Sequence, residues 1–397
     1  MKKYIILTSG IRNMGGAQMY VANKASYYES LGWECAVFFY TEGPVYINYL
    51  KRFADNFIPE LANSIWSLSK KSRDSIIKRI CNEINNCDEV VIESNLLSLA
   101  YWGELIAQKI GGKHVVFILQ ETIPSLTSVQ AEFLDFKLNR KELLNSHNRA
   151  LHNIFKSHYK SLYDNYNYQL VPYCSNVLDN TPTEKPPTII DADYNIFSIG
   201  RLDKDYIKPM LDEIKTFVEK YQTHHFNLVF IGNDNSHVME EYIQDHFSST
   251  KNVHLSLLGY VFPVPYDWIK LADISIASSN SVLITSEVGI PTIAIDGRDL
   301  KAIGIHNHTT TSTVFRKESE PEVSVSSLIE AVLIKRQYAK NLKPALLDEK
   351  LNFHFSKHAE LVTSSSRQQL YFDVINIYNF IYRVGFVIKR ILRKLLS

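Results

Sequence analysis

The sequence predicts an α/β protein of two doubly wound, Rossmann-like domains facing each other across a cleft. Short apolar runs closed by turn residues alternate with helical periodicity, the pattern of a buried parallel sheet wrapped by helices. The proline-rich stretch TPTEKPPT, residues 181–188, interrupts that rhythm near the midpoint, and the rhythm then restarts. The chain has 397 residues, 45% of them hydrophobic, more than one ordinary core organises and enough for two.

The first block reads YIILTS at 4–9, a helix over about 17–31, CAVFFY at 35–40, DEVVIES at 88–94, a further helix, and KHVVFIL at 113–119. Beyond the linker come YNIFSIG at 194–200, a helix over about 209–221, FNLVFIG at 226–232, VHLSLLG at 253–259, ADISIAS at 272–278, a helix around Ile284, and PTIAID at 291–296. Runs this short and continuous are strands buried on both faces, and the 3.6-residue patterns between them supply the covering helices. The expected domains are residues 1–180 and 189–345, with 346–397 as helices ending in a basic amphipathic tail.

With 43 Lys and Arg against 42 Asp and Glu, the net charge is +1, so no global field collects a polyanion and nucleic acid is excluded as a partner. Cys35, Cys81, Cys87 and Cys174 have neither zinc-site spacing nor disulfide density, which suits a reducing cytosol. MKKYIILTSG carries too short an apolar run for a signal peptide and reads as a first strand. No run approaches the 18 or so apolar residues of a spanning helix.

In such sheets ligands sit at the carboxyl ends of the strands, where turns and helix starts present free N–H groups. After the first strand, Gly15-Gly16 opens a helix and lets another molecule approach the backbone; an ordinary strand-to-helix turn reads the same way. In the second block, Gly200-Arg201 follows an apolar strand directly, with Lys204 and Lys208 close behind. A planar guanidinium fork and a mobile ammonium suit a departing diphosphate, although structural ion pairs in a solvated loop fit too. Gly232 and Gly259 end the next two strands, as expected where a nucleotide packs on backbone. Ser279, Asn280 and Ser281 are placed to cap the next helix and offer N–H groups to phosphate, and Glu287 to accept from ribose hydroxyls.

The order GRLDK, FIG, LGY, ADISIASSN, SEVGIPTIAIDG resembles the C-terminal domain of retaining glycosyltransferases of family 4 (group 1, polysaccharide-biosynthesis type). That family's pattern is GRL with a following lysine, a serine-containing strand end, then EA-x-x-x-G-x-P. Gly15-Gly16-Ala17-Gln18 resembles the family's GGAE turn, and the likeness spans about residues 4–310, clearest over 197–297. The resemblance implies the GT-B fold, with residues 1–180 on the acceptor side, 189–345 binding a nucleotide sugar, and the helices of 346–397 returning to the first domain. It further implies Arg201 with Lys204 or Lys208 on the donor diphosphate, Glu287 on the ribose, and Gly16 near the phosphates or the acceptor. No cofactor is implied beyond the nucleotide-diphosphate sugar as co-substrate.

The sequence departs from that pattern in two places. Only the second of the family's two glutamates is present, and the family's histidine after a late strand is replaced by Gln120-Glu121. Glu121 reads either as an acidic group near the acceptor or as a capping residue. No metal site is expected: Asp191-Ala192-Asp193 precedes a strand instead of following one, and His306-Asn307-His308 lacks a third ligand. His147, His152 and His158 have spacings that do not stack on one helix face.

From Leu370 the chain reads as a basic amphipathic helix, and residues 383–397 hold Arg383, Lys389, Arg390, Arg393 and Lys394 with no acidic residue. The expectation is a cytoplasmic enzyme, peripheral on the inner face of the cell membrane. It would move a hexosyl or related sugar, without a metal, onto a lipid-linked saccharide or a surface-polysaccharide precursor of the capsule or O-antigen kind. The alternatives are a non-catalytic GT-B accessory subunit that binds a partner transferase or a glycan, and a sugar-nucleotide epimerase acting on free donor.

Overall fold

The computed structural model describes residues 1–12, 14–84, 87–118, 126–140, 142–145, 178–234 and 236–344, together with 355, 356, 359, 360 and 371. The chain divides into two compact units, Met1–Cys174 with Glu349–Ser397, and Ser175–Asp348.

Unit 1 alternates β1 (Lys2–Leu7), α1 (Gly16–Ser30), β2 (Glu34–Phe38), α2 (Lys70–Asn82), β3 (Glu89–Ser94), α3 (Leu97–Ile110), β4 (Lys113–Ile118), α4 (Ser128–Asn139) and β5 (Leu143–Asn145). The sheet order is β2-β1-β3-β4-β5, parallel throughout. Alternate strand residues serve opposite faces. Ile5, Leu7, Phe38, Ile92, Val116 and Ile118 pack with residues of α2, α3 and α4, such as Ile80, Trp102 and Phe133. On β1, β3 and β4, Tyr4, Glu93 and Phe117 meet Tyr20, Lys24 and Tyr28 of α1.

Two buried ionic clusters cross this unit. Lys24 and Glu93, both fully buried, pair at 3.2 Å. On the other side, His114 Nδ1 meets Glu104 Oε1 at 2.8 Å and Nε2 meets Ser94 Oγ at 3.0 Å, while Lys137 joins Glu104 and Glu142. Burial works to raise the Glu104 carboxyl, but Lys137 and His114 prevail and hold it near 2. Burial, with Lys137, pushes His114 down to about 4, so the ring is neutral and joins the elements as a hydrogen-bond bridge. The returning chain adds Tyr371, whose N–H donates to Glu104 at 3.1 Å and whose ring packs on Phe133 and Phe136. The rest of the tail, apart from the described residues 355, 356, 359 and 360, lies outside the described residues.

Unit 2 contains β6 (Leu178–Asp179), β7 (Tyr194–Ile199), α5 (Ile207–Lys220), β8 (Phe226–Ile231), α6 (Val238–Phe247), β9 (Val253–Leu257), β10 (Val264–Pro265), α7 (Tyr266–Ile269), β11 (Ile274–Ala277), α8 (Ser281–Ser286), β12 (Thr292–Ile295), β13 (Ala302–Ile305) and α9 (Val325–Leu333). Its main sheet runs β13-β12-β11-β7-β8-β9, parallel except for β13. Ile196, Leu228, Ile276 and Ile293 pack with α5 and α9 residues such as Leu211, Phe217 and Ile329; Phe197, Ile199, Val229 and Ile231 pack with Ile269 of α7 and Ile284 of α8. Strand β7, first in this sheet's sequence order, is flanked by β8 on one side and β11 on the other, so connections run outward in both directions. That reversal is where an open α/β sheet leaves a crevice at its carboxyl edge.

Candidate functional site

The crevice beside β7 is walled by backbone. Gly200, at φ +142, ends β7 and donates its N–H to the Ile231 carbonyl at 3.0 Å. Gly232, at φ +148, ends β8 so close to β7 that a Cβ there would sit 1.8 Å from the Gly200 oxygen. Gly232 in turn bridges to Gly259 past the end of β9. Across the reversal, a Cβ at Gly200 would lie 3.5 Å from both Ser281 Oγ and the Tyr206 hydroxyl. The structure therefore brings together Gly200, Gly232, Gly259 and Ser281.

Tyr206 is a site residue that sequence reasoning missed. Its ring is buried at the start of α5, burial raises its phenol, and the nearby Arg201 works against that rise. The signal was present, because Tyr206 lies two residues past the GRLDK string; an aromatic residue before an amphipathic helix reads simply as core.

Arg201 stands next to this wall, its side chain 44% exposed, with Nε 3.2 Å from Asp203 Oδ1. A pair this exposed is worth about 0–1 kcal/mol, so Arg201 can exchange Asp203 for another oxyanion at little cost. Lys204 is also exposed, and its carbonyl accepts from Ile207 N–H at 3.0 Å in the turn that starts α5. Lys208 is engaged elsewhere: its ammonium lies 4.6 Å from the centre of the Tyr242 ring on α6.

Three expectations need correction. Ser279, Asn280 and Ser281 do not cap α8 by side chain, because Asn280 at the N-cap has helical φ and ψ of −62° and −23° and its side chain makes no cap hydrogen bond. Ser279 is held at φ +60 and gives its N–H to the Thr313 carbonyl at 2.7 Å, so that group is already used within the protein. Glu287 is the C-cap of the six-residue α8, which begins at the carboxyl edge of β11 and returns along it. At 1.5 Å per residue, Glu287 is carried about 9 Å along the axis from Ser281, toward the opposite edge of the sheet. In the family pattern the glutamate precedes the glycine by five residues, and here that position is the buried Ile284. Glu287 instead faces His306, whose ring bonds Ser286 at 2.9 Å; burial lowers its pKa and Glu287 partly restores it.

In unit 1, α1 starts at Gly16 behind an extended Gly15 at φ −174, and Gln18 Nε2 donates back to the Gly10 carbonyl at 3.0 Å. Glu121 and His147, His152 and His158 lie outside the described residues. Asp191 pairs with Lys185, and Asp193 accepts from His225 N–H at 2.8 Å, so both serve the loop before β7 and the turn before β8. Among the described residues no group of three or more His, Cys, Asp or Glu side chains is placed to hold a metal ion.

No protein-family model matches the chain, and no curated protein matches it in sequence. Solved structures do match in shape. HepE of Anabaena in complex with UDP and glucose superposes with a TM-score of 0.58 at 12% identity, over 91% of this chain and 99% of that one. A glycosyltransferase from Rickettsia africae gives 0.57 at 13% identity, over 98% of each chain. The UDP complex of S. aureus MnaA gives 0.50 at 12% identity, over 92% of this chain and 99% of that one. At these identities the likeness is one of fold: the chain has the GT-B fold of two Rossmann-like domains.

Proposed function

We propose that this chain is a glycosyltransferase that takes a sugar from a nucleoside diphosphate sugar held at the carboxyl edge of the second sheet. The observation that carries the reading is the glycine wall of Gly200 and Gly232 with Arg201 beside it. The sheet reversal at β7 is where an open α/β sheet takes a nucleotide, the Cβ position of Gly259 has no atom within 4 Å, and a weakly engaged guanidinium stands where a diphosphate would lie. Fold relatives solved with UDP or with UDP and glucose support a uridine nucleotide as the first ligand to test.

Arg201, with Lys204, neutralises the diphosphate as the bond to the sugar breaks, with no metal required. Lys208 joins only by leaving Tyr242. The sugar is a hexosyl or related residue, transferred with retention as the family 4 resemblance implies. The test has two stages. UDP and GDP sugars are first compared for thermal stabilisation of the full chain, since a bound ligand raises its stability by mass action. Arg201→Ala is then expected to lose about 10²–10³-fold in turnover, with little change in melting temperature. Turnover equal to the wild type would remove Arg201 from the mechanism.

A second reading is favoured by Ile284 standing where the pattern has a glutamate: a subunit that binds donor or glycan without transferring it. Tight UDP-sugar binding with neither transfer nor hydrolysis by the purified chain would select it.

The acceptor in this proposal is a lipid-linked saccharide or surface-polysaccharide precursor, met at the inner face of the membrane through the basic tail. Among the described residues no helix is long and apolar enough to cross a membrane. The tail's cations contribute about 1 kcal/mol each near an anionic leaflet. Changing Lys389, Arg390, Arg393 and Lys394 together to Gln is expected to cut binding of the full chain to anionic vesicles by at least about tenfold. Equal co-sedimentation of the two proteins would remove the tail from membrane binding.

A further inference from the structure

The loop from β1 to α1 carries one cation, Arg12, whose surroundings are built. Its guanidinium carbon lies 4.9 Å from the centre of the Phe57 ring and 5.5 Å from that of Phe39. The two rings pack on each other at 5.6 Å, and their backbones are joined: Phe39 N–H donates to Asn56 O at 3.4 Å, and Ile58 N–H to Phe39 O at 2.8 Å. The loop itself is tied down by the N–H groups of Tyr40 and Thr41, which both donate to Ser9 O, at 3.1 and 2.9 Å. At Gly10 the packing is so close that a Cβ would stand 1.9 Å from Thr41 Oγ1.

This arginine lacks the carboxylate partner that Arg52 has. Arg52 also stacks on two rings, Tyr49 and Phe53, each at 4.5 Å, but it pairs with Glu29. Among the described residues no carboxylate pairs with Arg12, and its buried Nε has no hydrogen-bond partner. Ring contact is worth about 0.5–2 kcal/mol, whereas a buried donor left unmade costs about 1–3 kcal/mol. The ring contacts and the unmade bond are of similar size, so the rings hold the guanidinium without satisfying its Nε, and an incoming oxyanion would accept from it. Its position suits one: β1 lies between β2 and β3, so Arg12 stands at the carboxyl edge where the order of the first sheet reverses.

We propose that Arg12 is the oxyanion-binding residue of unit 1, taking a phosphate or carboxylate of a substrate with the guanidinium that Phe39 and Phe57 hold in place. The assignment to a substrate rests on the transferase reading; the anion site does not. The group belongs to the acceptor, the substrate that unit 1 would hold, and the chemistry is a planar fork on an oxyanion.

The test titrates inorganic pyrophosphate, and separately UDP, into the full-length wild type, Arg12→Gln, Arg12→Lys, Arg201→Ala and the Arg12→Gln/Arg201→Ala double variant. Arg12→Gln is expected to bind pyrophosphate about tenfold more weakly than wild type, and the double variant to fall below Arg201→Ala by a similar factor. Arg12→Lys keeps the charge and the apolar stem over the rings and should lose less; it carries the test if Arg12→Gln does not fold. UDP affinity is expected to be unchanged in Arg12→Gln but lost in Arg201→Ala, and loss in both would overturn the assignment of the anion to the acceptor. A wild type that takes up no pyrophosphate, or folded Arg12 variants that bind it as the wild type does, overturns the proposal. A wild type that binds pyrophosphate through Arg12 but no UDP leaves the anion site standing and sinks the nucleotide reading.

Discussion

Gly232→Ala is expected to lower the melting temperature of the chain by on the order of 10 °C and to abolish nucleotide binding by unit 2. The smallest side chain suffices, because its Cβ would stand 1.8 Å from the Gly200 oxygen and 2.7 Å from the Gly200 carbonyl carbon, both backbone atoms that no rotamer change removes. Relief requires β7 and β8 to part where Ile199 faces Ile231, which breaks the ladder at the edge a nucleotide would use. Overpacking costs about 1–3 kcal/mol, and the φ of +148° adds about 1–3 kcal/mol for a residue with a side chain. Gly259→Ala is the matched control. Gly259 also has positive φ, +68°, but no atom within 4 Å of its Cβ position, so only the dihedral term of about 1 kcal/mol applies. Should the two variants melt together, the close approach of the β7 and β8 ends would be refuted as the reason for glycine at 232.

The same contrast shows what the sequence made legible. Strands β1–β4, β7–β9, β11 and β12 were readable because each is an apolar run bounded by turns, whereas β5, β6, β10 and β13 fell outside those runs; the glycines that end β7 and β8 belong to the readable runs. Helix α5 begins at Ile207, ahead of the expected 209, because Pro209 is tolerated in a first turn where its missing N–H is not needed. The three 3-10 segments Asn48–Asn56, Pro59–Ala62 and Ile65–Ser67 follow a three-residue period in short runs, which the 3.6-residue template does not register. At the site, whatever depends on a single strand end was visible, and whatever depends on a partner remote in sequence was not. Glu287 was misplaced because its role depends on where α8 stops. Arg12 passed unremarked because its two rings come from positions 39 and 57. Lys24 and Glu93 passed unremarked as well, because one lies on α1 and the other on β3 and only the fold brings them together.

That pair carries the other large expected effect. Lys24 sits among the rings of Tyr4, Tyr20, Tyr28, Phe117 and the returning Phe355, each centre 5.3–5.8 Å from the ammonium. Glu93 accepts from Tyr20 at 2.8 Å and Asn95 at 2.7 Å, and from Tyr4 as well. Removing one member of a buried pair costs about 3–5 kcal/mol. Glu93→Gln should lie at the upper end, because it leaves the ammonium no carboxylate among aromatic rings; Lys24→Met should lie at the lower end, because three donors still serve Glu93. The double variant should recover much of the loss, a coupling that a thermodynamic cycle measures directly. Proton linkage gives a further readout. Burial pushes Lys24 down to about 8 against its ordinary 10.5, with Glu93 opposing the fall. Between those values the unfolded chain holds more proton than the folded one, so rising pH favours the folded state. Urea unfolding of the wild type should therefore show stability increasing by about 1–2 kcal/mol from about pH 8 to about 9.5, below the range where tyrosines ionise. Lys24→Met should lack that increase, and a wild type whose stability is flat or falling across this interval would mean that the ammonium is not buried as the structure has it.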